Sequence, residues 1–128
     1  MGNNEKFYTS HVDATIAIST SLSDAVNVGQ GGVPGVPLSG FRLVGIVMPA
    51  AWTTANLTFQ VSHDNVSFNN LYDRSGTEYV VAAAASRAII IPPLDFYPFT
   101  YLKVRSGTSG TPVAQDAART ITLLLKQV

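Results

Sequence analysis

The stretch Leu57-Thr58-Phe59-Gln60-Val61-Ser62-His63-Asp64-Asn65-Val66-Ser67-Phe68-Asn69-Asn70-Leu71-Tyr72 spells a β-hairpin. Leu57, Phe59 and Val61 alternate with Thr58, Gln60 and Ser62, the period-two pattern of a strand with one buried face and one wet face. Asp64-Asn65 is the natural reversal point, because Asp and Asn tolerate tight turns. The chain then resumes from Ser67 to Tyr72.

The same grammar recurs on both sides of this hairpin. Upstream, Val12 to Ser19 is predicted as a strand with Ala14, Ile16 and Ile18 on one face, and Leu22 to Val28 as a second, weaker one. Phe41 to Met48 is apolar on both faces apart from Arg42 and Gly45, which marks a central strand. Pro49 ends it, and Ala50 to Ala55 turns a corner in which Trp52 plugs the core or, if exposed, offers a platform for sugar stacking. Downstream, strands are predicted over Glu78–Ala83 and Ser86–Ile91. Thr100–Ser106 follows, with Leu102 and Val104 inward and Tyr101, Lys103 and Arg105 on a solvated face. Val113–Ala118 has the makings of one helical turn. Arg119–Val128 closes the chain with Ile121, Leu123 and Leu125 on one face. Eight or so strands with no long helix predict an all-β fold: an antiparallel β-sandwich, jelly-roll-like.

The 128 residues suffice for a single sandwich domain, read as residues 12–128. Residues 1–11 read as a flexible N-terminal arm carrying Phe7 and Tyr8. Residues 29–40 hold five glycines and two prolines, a composition that prohibits regular structure. Pro34 breaks any Gly-x-Gly-x-x-Gly register and a strand follows, so this is no phosphate cradle. A flexible surface loop and a partner-binding loop are the two roles open to it.

Charge narrows the functional classes. The net charge is zero and only 12% of residues are charged, against about 25% in a typical domain. With 46% apolar residues, part of the surface is expected to lie against neighbouring subunits. Scattered basic residues argue against nucleic acid, which demands concentrated Lys and Arg. No apolar run reaches transmembrane length, the first residues lack a signal-peptide core, and Lys6 breaks the myristoylation pattern. The sequons at Asn56 and Asn65 read as chance matches. Absence of cysteine excludes disulfides and thiolate metal sites.

No catalytic motif stands out. His11 and His63 are far apart, and His63-Asp64 sits in a turn, a poor chelate. Asp73 and Glu78 lack the carboxylate-dense context of a calcium loop. Gly107-Thr108-Ser109-Gly110 is not a nucleophile elbow. No enzyme activity, cofactor or metal is expected. Tyr72, Tyr79, Tyr97, Phe99 and Tyr101 cluster near loops, where aromatics stack on sugars or anchor interfaces. The plainer expectation is that Phe96 and Phe99 fill the core while the tyrosine hydroxyls reach the rim.

Three segments carry a resemblance: Phe41-Arg42-Leu43-Val44-Gly45-Ile46-Val47-Met48-Pro49 with Trp52, Leu57-Thr58-Phe59-Gln60-Val61-Ser62 through Leu71-Tyr72-Asp73, and Tyr101-Leu102-Lys103-Val104-Arg105-Ser106-Gly107-Thr108. Residues 41–126 resemble small β-sandwich virion proteins of tailed bacteriophages, of the head decoration or cement type. The resemblance implies a structural protein on the capsid surface of a virion assembled in the host cytoplasm. It also implies the major capsid protein as partner, self-association most readily as a homotrimer, and no catalytic residue. The expected partner contacts are Phe7, Tyr8, Val33, Val36 and Leu38, apolar side chains in segments that cannot join the core. The alternative is a carbohydrate-binding jelly-roll module of a phage tail or baseplate appendage. The two differ in where the aromatics point: a sugar binder needs an aromatic platform beside hydrogen-bonding side chains.

Overall fold

The hairpin at 57–72 is the tip about which the described strands are wound. The computed structural model describes residues 9–29 and 40–127. The expected partner contacts Phe7, Tyr8, Val33, Val36 and Leu38 lie outside the described residues. Within these, eight strands form: β1 (Thr9–Ile16), β2 (Val26–Asn27), β3 (Phe41–Val47), β4 (Leu57–Ser62), β5 (Asn69–Asn70), β6 (Ala88–Ile90), β7 (Tyr101–Ser106) and β8 (Arg119–Gln127). They pair as two four-stranded sheets, β1-β8-β3-β6 and β2-β7-β4-β5, and every pairing is antiparallel. The pairs β4–β5, β3–β6, β2–β7 and β1–β8 nest inside one another. That is one long hairpin, tip at 63–66, rolled across two sheets into a jelly roll.

Period-two alternation places the core. Leu57, Phe59 and Val61 from β4, Leu102 and Val104 from β7, and Ile121, Leu123 and Leu125 from β8 are all buried between the sheets. From β3, Phe41, Leu43 and Ile46 join them. The step from Leu43 to Ile46 breaks strict alternation because a β-bulge lies between Leu43 and Gly45 in the β3–β8 register. Gly45 suits the bulge: a Cβ there would stand 3.3 Å from both the Ile89 carbonyl and Leu124 Cδ1.

Several local expectations are corrected. β1 begins at Thr9, so Thr9, Ser10 and His11 pair with Lys126, Leu125 and Leu124. At its other end the strand stops at Ile16. Thr20 N donates to the Ala17 carbonyl and Ser19 adopts φ 65°, so the chain turns and Ile18 is left exposed. Glu78–Ala83 is no strand but two isolated bridges, Tyr72 to Glu78 and Leu57 to Val81. Val113–Ala118 makes no helical turn. Its Gln115 is 1% exposed and acts as a junction. Its side-chain Nε2 donates to the Thr53 carbonyl (3.0 Å) and to Ser106 Oγ (2.7 Å), while its Oε1 accepts from Thr53 N (2.8 Å). Gln115 therefore pins the 50–55 corner as a strand partner would. Trp52 is the plug of that corner: half-buried against the core, with Nε1 donating to the Ala55 carbonyl at 3.0 Å.

Candidate functional site

The outer faces of the two sheets differ: that of one is polar, and that of the other sets apolar side chains among polar ones. On the β2-β7-β4-β5 sheet, the outward row is polar and satisfied internally. Arg105, expected on a solvated face, is 7% exposed. Its Nη2 donates to Asn70 Oδ1 at 2.6 Å and its Nη1 to Thr58 Oγ1 at 3.3 Å, and it forms an ion pair with Glu78 at 3.4 Å. Glu78 in turn accepts from Ser109 N at 3.2 Å. Beside this network Lys103 Nζ lies 4.6 Å from the Phe68 ring centroid. Glu78, weighed above with Asp73 as a calcium loop and declined, is thus engaged as a counter-ion. Asp73 closes its own turn by accepting from Ser75 Oγ (2.6 Å) and Thr77 N (3.1 Å). Those bonds, the Ser75 hydroxyl first, hold its carboxyl below the usual range.

The β1-β8-β3-β6 sheet instead exposes apolar side chains on its outer face. Ile90 (88% exposed), Val47 (39%) and Leu124 (38%) stand on it. Pairing aligns Ile90, Gly45, Leu124 and His11 as one row and Ala88, Val47, Thr122 and Asp13 as the next. A shallow groove of about 380 Å³ runs along this face, lined by Thr9, His11, Val44, Leu124 and Lys126 among others. At the edge of the face, the Arg42 guanidinium lies 4.2 Å over the exposed Tyr97 ring.

A second groove, about 330 Å³, opens at the hairpin tip. Leu71 and Val61 floor it, and His63, Ser67, Asn69, Asn70, Tyr72 and Phe99 surround it. The turn that forms one rim is built tightly. Ser62 Oγ donates to Asp64 Oδ1 (2.9 Å) and accepts from Asn65 N (2.9 Å). Asp64 Oδ1 accepts from Val66 N (2.9 Å) and Ser67 N (3.0 Å). Backbone donation by Ser67 and Val66 brings the Asp64 carboxyl down to about 2. Asn65 takes the left-handed conformation, φ 62°, as the turn read from Asp64-Asn65 requires.

The expected aromatic cluster divides in two. Phe96 is buried, with Phe59 at 4.9 Å and Tyr79 at 5.2 Å in edge-to-face contact. Tyr79 donates its hydroxyl to Asp95 Oδ2 at 2.5 Å. Burial first, and that hydrogen bond second, push its phenol well above the ordinary tyrosine value. Tyr72 (49% exposed) faces solvent beside the tip groove, whose wall Phe99 completes from its half-buried position. Among the described residues no three His, Asp or Glu side chains converge as metal ligands.

The chain matches no protein-family model and no curated protein. Among solved structures it is similar to the SPBc2 prophage-derived protein YomS, at 12% identity and a TM-score of 0.54, over 93% of this chain and 95% of that one. It is also matched to a structure of Bacillus endospore appendages, described as disulfide-linked pili, at 13% identity and a TM-score of 0.43, over 96% of this chain and 87% of that one. The first likeness shows a shared fold.

Proposed function

We propose that this chain is a structural, non-enzymatic component of a phage particle, a decoration protein that seats the outer face of its β1-β8-β3-β6 sheet against the head shell. The observation that carries the proposal is the difference between the two outer faces. A sandwich that is solvated on both sides alternates apolar-in with polar-out on every strand. The β2-β7-β4-β5 sheet follows that rule. The β1-β8-β3-β6 sheet departs from it at Ile90, Val47 and Leu124. Low overall charge fits a protein whose surface is partly covered in its working state. The fold shared with a prophage-derived protein over nearly the full length of both chains supports a phage setting.

In this proposal the partners are the major capsid protein and further copies of the chain, most simply as a homotrimer. Many weak contacts repeated around a symmetric shell suffice for firm attachment. The test is to purify particles encoded by the same genome and count copies of the chain by mass spectrometry, with wild type or Leu124→Asp as its source. The expected result is stoichiometric incorporation of wild type and loss of Leu124→Asp. Particles that assemble without the wild-type chain, leaving it in the soluble lysate, overturn the proposal.

A further inference from the structure

We infer that the groove at the hairpin tip is a binding site for a neutral saccharide, separate from the sheet face proposed to meet the shell. The two surfaces share no lining residue, and the inference stands or falls independently of the decoration role.

Three features point to a sugar. The first is the pairing of aromatic and amide groups. Tyr72 and Phe99 offer ring surface for the C–H face of a pyranose, and Asn69, Asn70, His63 and Ser67 line the same groove with hydrogen-bonding groups. The volume of about 330 Å³ falls in the range of roughly 300–1,000 Å³ typical of small-ligand sites.

The second is a spare amide. Asn69 is exposed on the edge strand β5, and its side chain makes no hydrogen bond among the described residues. Asn70 pairs with Gln60 and its side chain belongs to the outward row, where Oδ1 accepts from Arg105 Nη2 at 2.6 Å, so the spare amide of the groove is that of Asn69, which pairs with Val61 of the groove floor. The rim is preset, since Ser62 and Asp64 lock the turn that carries His63 and Ser67.

The third is charge. No Lys, Arg, Asp or Glu lines the groove. A phosphorylated or strongly acidic ligand would find no Lys or Arg there, whereas a neutral polyol requires only donors, acceptors and a ring face.

The test uses the purified chain in solution. Glucose, galactose, N-acetylglucosamine and their short β-linked and α-linked oligomers are titrated to millimolar concentration while side-chain and backbone amide resonances are followed by NMR. Saturable shifts confined to Asn69, Asn70, His63 and Tyr72 are expected for at least one of these sugars. Tyr72→Ala should weaken that binding by roughly tenfold or more, on the scale of one lost stacking contact. Asn69→Ala, at an exposed edge position where folding is not at risk, should weaken it as well, and Leu124→Asp should leave it unchanged. Shifts for none of the sugars, or binding that survives both Tyr72→Ala and Asn69→Ala, overturn the inference. So does capture of extended peptides at β5 with no response to sugars.

Discussion

Arg105 Nη1 lies 3.4 Å from Glu78 Oε2, with the two side chains only 8% and 14% exposed. This ion pair joins β7 to the irregular segment after the hairpin, which has little else in regular pairing. Removing one member leaves the other charge desolvated, and for a buried pair the loss is about 3–5 kcal/mol. Arg105→Ala and Glu78→Ala should each approach the lower end of that range in urea unfolding. The double variant should lose less than the sum of the two, because no orphan charge remains. Additive losses would mean that the two side chains act separately.

Gly107 and Gly76 provide a controlled comparison. Both have a positive φ, 87° and 89°, so both lose conformational ease on gaining a Cβ. At Gly76 nothing lies within 4 Å of that Cβ, whereas at Gly107 it would stand 2.5 Å from the Thr111 carbonyl oxygen and 2.8 Å from Val113 N. Gly76→Ala should cost about 1 kcal/mol. Gly107→Ala should cost roughly 2–5 kcal/mol, since backbone atoms must move as well. Equal losses in thermal melts would show that the loop around Thr111 gives way freely.

Tyr79 sets an alkaline limit. Its phenol is raised above 10.0 by burial and by the bond to Asp95. In the unfolded chain it ionises near its ordinary value, so above that pH the unfolded state holds fewer protons than the folded state and stability falls. The contribution is complete below pH 10 and is lost as pH rises toward the folded value. Tyr79→Phe, followed by urea unfolding from pH 8 to 11, should show a shallower decline than wild type. Parallel curves would rule out this tyrosine as the source.

The strands that were legible in the sequence are those where one face alternates strictly. β4, β7 and β8 carry Leu57/Phe59/Val61, Leu102/Val104 and Ile121/Leu123/Leu125, all buried as their spacing requires. Legibility failed where a residue's environment is set by a distant partner. Thr9-Ser10-His11 has no apolar rhythm and is a strand because β8 offers Leu124 to Lys126 as its ladder. Glu78–Ala83 has strand propensity but bridges β4 at Leu57, the first residue of that strand. Arg105 resembles any outward-facing charge until Asn70 and Glu78 are folded over it. Gln115 has no local signal, because its partners Thr53 and Ser106 are brought in by the roll. The tip groove was foreshadowed by the aromatic cluster and by the turn at Asp64-Asn65. The contribution of Asn69 depends on β5 being an edge, which no local pattern encodes.

Leu123 and Leu124, adjacent on β8, separate folding from assembly. Leu123 is fully buried between the sheets, while Leu124 faces outward at 38% exposure across from His11 and Gly45. Leu123→Ala removes core volume and should cost about 2–5 kcal/mol. Leu124→Asp places a charge on a surface that is solvated in the isolated chain and should cost less than about 1 kcal/mol. Its effect should appear in self-association and particle incorporation, because a carboxylate at a position covered by a partner must be desolvated. Analytical ultracentrifugation beside thermal melts distinguishes the two effects. The expected pattern is a folded but dissociated Leu124→Asp, and a Leu123→Ala that melts early yet associates while folded. If Leu124→Asp sediments as wild type does and still joins particles, the β1-β8-β3-β6 face is not the attachment surface.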